Sequence, residues 1–123
     1  MNLFQKGKFE LHSGVISDFK IDCDAFTDAD IETIAYIISK NIKFKDVVGV
    51  PSGGLRLEKA LEKYISNRGC HLIVDDVLTT GDSMNVLKKE MYGDNGLGVK
   101  GVVIFARNKC PDWIHPVFNM WGD

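Results

Sequence analysis

The chain has 123 residues, 45% hydrophobic, 26% charged and 10% aromatic, with a formal charge of -2. That composition fills one core, falls short of two, and excludes a disordered chain. No apolar run approaches the roughly 20 residues of a membrane span, and the near-neutral charge offers no broad nucleic-acid surface. The first residues lack the long apolar stretch of a signal peptide. Cys23, Cys70 and Cys110 are odd in number and widely spaced, without C-x-x-C or zinc-site spacing. The expectation is a cytoplasmic protein with reduced thiols and no membrane or nucleic-acid partner.

Taken in chain order, Phe9 to Leu11 and Val15 to Ile21 read as short strands around a turn at Ser13-Gly14. Thr27 is an N-cap with Asp30 three residues on, and Ile31, Ile34, Ala35, Ile38 and Ile42 recur on one helical face. Asp46 to Val50 is a buried strand, broken by Pro51-Ser52-Gly53-Gly54. Leu57, Ala60, Leu61, Tyr64 and Ile65 fit a second helix, with Gly69 as its C-cap. Cys70 to Val74 is a second buried strand that runs into Asp75-Asp76. Met84, Leu87 and Met91 mark a third helix, Asp94-Asn95-Gly96 a turn, and Gly101 to Ala106 a last buried strand. The tail from Arg107 is aromatic-rich and irregular.

This alternation predicts an α/β fold, a mainly parallel sheet flanked by helices. One domain over 1–123 is expected, with an N-terminal segment at 1–26, a core at 27–106 and an aromatic tail at 107–123. Ligands of such sheets sit beyond the carboxyl ends of the strands. Two loops fall there, Pro51 to Gly54 and Asp75 to Ser83.

The second loop reads Leu72-Ile73-Val74-Asp75-Asp76-Val77-Leu78-Thr79-Thr80-Gly81-Asp82-Ser83. A strand delivers two adjacent carboxylates, and a short hydroxyl-rich loop then opens a helix. Unpaired N–H groups at a helix N-terminus hold phosphate, and glycine lets the backbone approach closely. The hydroxyls of Thr79, Thr80 and Ser83 add donors. Asp75 and Asp76 suit sugar hydroxyls or a hydrated Mg²⁺. A Walker site is excluded because Leu55-Arg56 follows Gly54 in place of Lys and Ser/Thr.

The string from Leu72 to Ser83 resembles the phosphoribosyl-diphosphate (PRPP) motif of type I phosphoribosyltransferases. Gly7 to Gly14 and Ile16 to Phe19 resemble the N-terminal segment of orotate phosphoribosyltransferases, and Val48 to Gly54 is similar to the family's pyrophosphate loop. The resemblance implies the type I phosphoribosyltransferase-like (Rossmann-like) fold and transfer of phosphoribosyl from PRPP to a nucleobase, orotate or another, with release of pyrophosphate. It implies ribose hydroxyls and Mg²⁺, directly or through water, at Asp75 and Asp76. The 5′-phosphate falls to Thr79, Thr80, Gly81, Asp82 and Ser83. Pyrophosphate falls to Ser52, Gly53 and Gly54, with Arg56 and Lys59 as helpers, and the base to His12, Ser13 and Phe19. Trp113 is either a base-stacking aromatic or a cover over the sheet edge. A homodimer is also implied.

The chain departs from that pattern in several places, among them Val15 and Asp18, where the orotate enzymes usually carry Arg and Pro. Orotate enzymes usually carry lysine where His12 stands. They also carry a basic loop between the pyrophosphate loop and the acid pair, whereas here about twenty residues, filled by helix and strand, separate Gly54 from Asp75. The rival reading is a catalytically silent module that binds PRPP or a nucleotide on the same fold.

Overall fold

The computed structural model describes residues 3–10 and 16–120. The described chain runs β1 (Phe4–Glu10), β2 (Ile16–Ile21), α1 (Asp28–Asn41), β3 (Phe44–Gly49), α2 (Leu55–Leu61), β4 (Cys70–Leu78), α3 (Asp82–Tyr92), β5 (Val99–Ala106) and β6 (Ile114–Asn119). Single 3-10 turns at Cys23–Ala25 and Glu62–Tyr64 precede α1 and follow α2. β1 and β2 pair antiparallel, and β3, β4, β5 and β6 form a parallel sheet in that order.

Both faces of the parallel sheet are covered. Ile31, Ile34, Ala35 and Ile38 of α1 and Leu57, Ala60 and Leu61 of α2 pack with Leu72 and Val74 of β4 and Val102 and Ile104 of β5. The intervening Ile73 and Val103 belong to the second core, with Met84 of α3 and Ile114 of β6. Successive strand residues face opposite ways, so a strand buried on both sides reads as an unbroken apolar run. Each such side chain contributes about 1.5–3 kcal/mol when fully buried.

α1 starts where the sequence says it should. Thr27 Oγ1 accepts from the Asp30 N–H at 3.1 Å, and Asp30 Oδ2 accepts from the Thr27 N–H at 2.9 Å. Two donors of the first turn are thereby satisfied reciprocally.

Several boundaries differ from the sequence reading. β1 begins at Phe4, ahead of the expected Phe9. Leu11, Val15 and the turn at Ser13-Gly14 lie outside the described residues. β3 begins at the buried Phe44, which the flanking Lys43 and Lys45 disguise. α2 stops at Leu61, leaving Tyr64 in the 3-10 turn and Ile65 45% exposed. Gly69 is not a helix cap; it packs against the Lys43 backbone at the entry to β4.

α3 docks through Tyr92 and leaves Met91 47% exposed. The Tyr92 ring stacks on His71 with 4.6 Å between centroids, and His71 Nδ1 lies 2.8 Å from Asp46 Oδ2. This polar bridge binds β3, β4 and the end of α3 at the sheet edge opposite the loops. The tail is not irregular, because 114–119 form β6. Pro116 hides that strand from sequence reading: it cannot donate to a ladder and is tolerated on an edge, which is where β6 lies.

The cap yields a simple test. Thr27→Ala should lower stability by about 1 kcal/mol, read from urea unfolding with an unchanged denaturant slope.

Candidate active site

Strand ends and their following loops build one cleft of about 660 Å³ beside the carboxyl edge of the sheet. Its walls are the segment 21–24, the loop 50–53, the stretch 75–84 and Arg107. β4 supplies the floor. It runs to Leu78, so Asp75 and Asp76 lie within the strand rather than beyond it. Asp75 pairs in register with Val103 of β5, which holds the acid pair against the middle of the sheet.

Each carboxylate accepts the N–H of the next residue. Asp76 N donates to Asp75 Oδ1 at 2.8 Å, and Val77 N donates to Asp76 Oδ1 at 2.7 Å. Burial pushes the Asp75 carboxyl up to about 8, and the neighbouring Asp76 charge adds to the rise. Cys23, also in the cleft wall, is pushed up to about 12 by burial first and by the Asp76 charge second. It is therefore an inert thiol rather than a nucleophile.

The loop after β3 folds over this floor. A Cβ on Gly53 would lie 2.5 Å from Asp76 Oδ2, so a larger residue there would push the carboxylate aside. The Gly54 N–H donates to Val50 O at 2.8 Å, which commits that donor to the loop itself. Ser52 and Gly53 stand exposed at the tip. The Pro51–Ser52 peptide is cis.

On the other side, Gly81 opens α3 in the left-handed region at φ +85°. Thr80 Oγ1 accepts from the Asp82 N–H at 3.3 Å, and Asn108 Nδ2 donates to Thr79 O at 2.6 Å. The Arg107 N–H donates to Leu78 O at 2.9 Å. The hydroxyl loop is thus tied to the strand behind it, and the N-terminus of α3 borders the cleft. Thr79, Thr80, Gly81, Asp82 and Ser83 all line it.

The structure brings together Ser52, Gly53, Asp75, Asp76 and the 79–83 loop, as the sequence suggested. It does not bring Arg56 to them. That guanidinium donates to Phe26 O at 3.0 Å and to Asp28 Oδ1 at 3.2 Å, tying α2 to the start of α1. Trp113 is likewise elsewhere: its Nε1 donates to Asn85 Oδ1 at 3.0 Å, and Lys88 Nζ lies 4.7 Å from its ring centroid. It covers α3 and the sheet edge. His12 and Ser13 lie outside the described residues, and Phe19 belongs to β2.

Asp22, Asp24 and Arg107 are cleft residues that sequence reasoning missed. Arg107 had a signal, since it directly follows a buried strand. Asp22 and Asp24 had none, because tertiary packing alone carries their turn to the cleft. Among the described lining residues Asp22, Asp24, Asp75, Asp76 and Asp82 face one guanidinium, Arg107, so an anionic ligand needs a cation with it.

The donor set fits such a cation. Mg²⁺ usually takes one or two carboxylates plus substrate phosphate and water rather than a full protein cage. Among the described residues no group of three or more His, Cys, Asp or Glu forms a cage, and Asp75 with Asp76 supplies the two-carboxylate kind of site.

No family model matches the chain. An orotate phosphoribosyltransferase from Sulfurisphaera tokodaii is 30% identical over 134 residues, taking in 84% of this chain and 67% of that protein. The chain belongs to the type I phosphoribosyltransferase family, alongside the orotate phosphoribosyltransferases. Its fold is the family's too. The crystal structure of orotate phosphoribosyltransferase from Aeropyrum pernix superposes with a TM-score of 0.72 at 22% identity, covering 96% of this chain and 89% of that one. The Leishmania donovani UMP synthase gives 0.68 at 19% identity, covering 96% of this chain and 34% of that one. Among the described residues no helix is long and apolar enough to cross a membrane.

The half-buried acid pair of this phosphoribosyltransferase-family chain sets a pH trend. An unfolded Asp75 ionises near its ordinary value of 3.8, and the folded one only near 8. Between those values the native state holds a proton that the unfolded chain has lost, so stability falls as pH rises through the window. Asp75→Asn should flatten this trend and raise the melting temperature of the ligand-free protein at pH 8, measured by calorimetry across pH 4 to 9.

Proposed function

We propose that the protein binds PRPP and transfers its phosphoribosyl group to a nucleobase, releasing pyrophosphate. The observation that carries this reading is the closure of two loops over one acid floor, with Gly53 seated on the Asp76 carboxylate. Backbone N–H groups at the start of α3, with the hydroxyls of Thr79, Thr80 and Ser83, hold the 5′-phosphate. Asp75 and Asp76 accept from the ribose 2′ and 3′ hydroxyls, directly or through the Mg²⁺ shell. Ser52 and Gly53 offer N–H groups to the pyrophosphate, and Gly54 shapes the turn that presents them.

A base nitrogen attacks the anomeric carbon as the bond to the pyrophosphate oxygen breaks, and the nitrogen gives up its proton. The ribose gains oxocarbenium character on the way. The Asp76 carboxylate stabilises that positive charge, with Asp75 beside it accepting from the ribose, and the fixed N–H groups of Ser52 and Gly53 meet the negative charge on the leaving group. When bound, Mg²⁺ neutralises part of the pyrophosphate charge. Family membership and the resemblance also support a homodimer in the cytoplasm, with the whole chain acting as one domain.

One observation favours the second reading, a silent PRPP- or nucleotide-binding module. Of the twenty residues at 55–74, α2, its 3-10 turn and the entry to β4 take up all but the short connection 65–69, and Arg56 is engaged with α1. No basic lid is formed from this stretch.

One assay separates the two. Purified protein, PRPP and Mg²⁺ are mixed with a panel of purine and pyrimidine bases including orotate, and pyrophosphate release is followed. Turnover with at least one base is expected; saturable PRPP binding with no turnover for any base selects the module. In either case the double variant Asp75→Asn with Asp76→Asn should weaken PRPP binding by about 100-fold, the charge-assisted hydrogen bond of Asp76 and the acceptor at Asp75 being lost together. Wild-type affinity in the double variant would contradict the role given to the acids.

A further inference from the structure

We infer that Glu58 is a positioning residue for the pyrophosphate loop. The inference rests on reading the cleft as a PRPP site and adds to it a residue that lies outside the cleft walls. β3 is an edge strand, paired with β4 on one side only. Its last residue, Gly49, is buried, so its N–H cannot rely on water for a partner. Instead Glu58 of α2 reaches back, and its Oε1 accepts from the Gly49 N–H at 2.8 Å.

The bond closes a circuit around the loop. The Glu58 N–H donates to Gly54 O at 3.0 Å, and the Gly54 N–H donates to Val50 O at 2.8 Å. The Val50 N–H in turn donates to Val74 O at 2.9 Å, one residue before the acid pair. One half-buried helix residue therefore holds both ends of the loop, its side chain gripping the strand and its backbone gripping the far turn. Ser52 and Gly53 are left at the tip. Their height over Asp76 is set by how firmly these ends are held, at a place where even a Cβ on Gly53 would meet the carboxylate.

A carboxylate suits this task better than a neutral group. Hydrogen bonds to an ionised acceptor are shorter and about twice as strong as neutral ones. The Glu58 carboxylate stands behind the loop and not in the cleft, so it contacts no ligand and acts only through backbone placement. Its effect should fall on ligands that carry pyrophosphate and spare those held by the opposite loop.

Calorimetric titration tests this with three probes in the presence of Mg²⁺: PRPP, inorganic pyrophosphate and a nucleoside 5′-monophosphate. Glu58→Ala should weaken PRPP and pyrophosphate about tenfold and leave the monophosphate within about twofold. Glu58→Gln, which keeps an acceptor oxygen, should recover most of the loss. If Glu58→Ala does not fold, Glu58→Asp carries the test, since it keeps the charge but is one methylene too short to reach Gly49. Equal weakening of all three probes marks a general loss of structure and overturns the inference. So does unchanged pyrophosphate affinity in a folded variant. A wild type that binds neither PRPP nor the monophosphate overturns the reading of the cleft and the inference with it, so the two failures are told apart in the unmutated protein.

Discussion

Two adjacent carboxylates in the interior strand of a parallel sheet are the constraint around which this molecule is organised. Both are half-buried, and no lysine or arginine is paired with either among the described salt bridges. Each accepts the N–H of the next residue, and the two side chains also meet each other. Asp75 consequently stays protonated well above the usual carboxylate range. A structural role would be served better by an apolar or amide side chain at that place. The arrangement suits a site whose missing partners, hydroxyls and a cation, arrive with the ligand.

The rest of the fold holds that floor in place. Apolar side chains of β4 alternate between two cores, one under α1 and α2 and the other under α3 and β6. The strand cannot slip by one residue without turning each core side chain to the wrong face. The acids are thereby locked in register. The two loops are fastened with equal economy, one by Glu58 and the other by Asn108 and the Arg107 backbone. At the opposite sheet edge the Asp46–His71–Tyr92 bridge anchors the far end of α3, so its N-terminus is held from a distance.

Much of this was legible in the residues because it is local. The capping box at Thr27 and Asp30, the apolar runs of the central strands, and the acid pair followed by Thr-Thr-Gly each declare themselves within a dozen positions. What escaped reading depends on partners far away in the chain. Arg56 looked like a phosphate ligand by position, but carbonyl oxygens before α1, thirty residues upstream, claim it. β6 was hidden by Pro116, and Trp113 could not be assigned between stacking and covering until its contact with Asn85 was visible. Asp22 and Asp24 enter the cleft only because the neighbouring Ile21 and Cys23 pack into the core. The boundaries of β4 were read short for a physical reason: charged residues usually end buried strands, and here two of them continue one.

The most direct measurement is a crystal structure of the protein soaked with Mg²⁺ and a nucleoside 5′-monophosphate. The phosphate should rest on the backbone N–H groups of 80–83, with the ribose hydroxyls turned to Asp75 and Asp76. A phosphate bound elsewhere, or a ribose that leaves both aspartates untouched, would contradict the assignment.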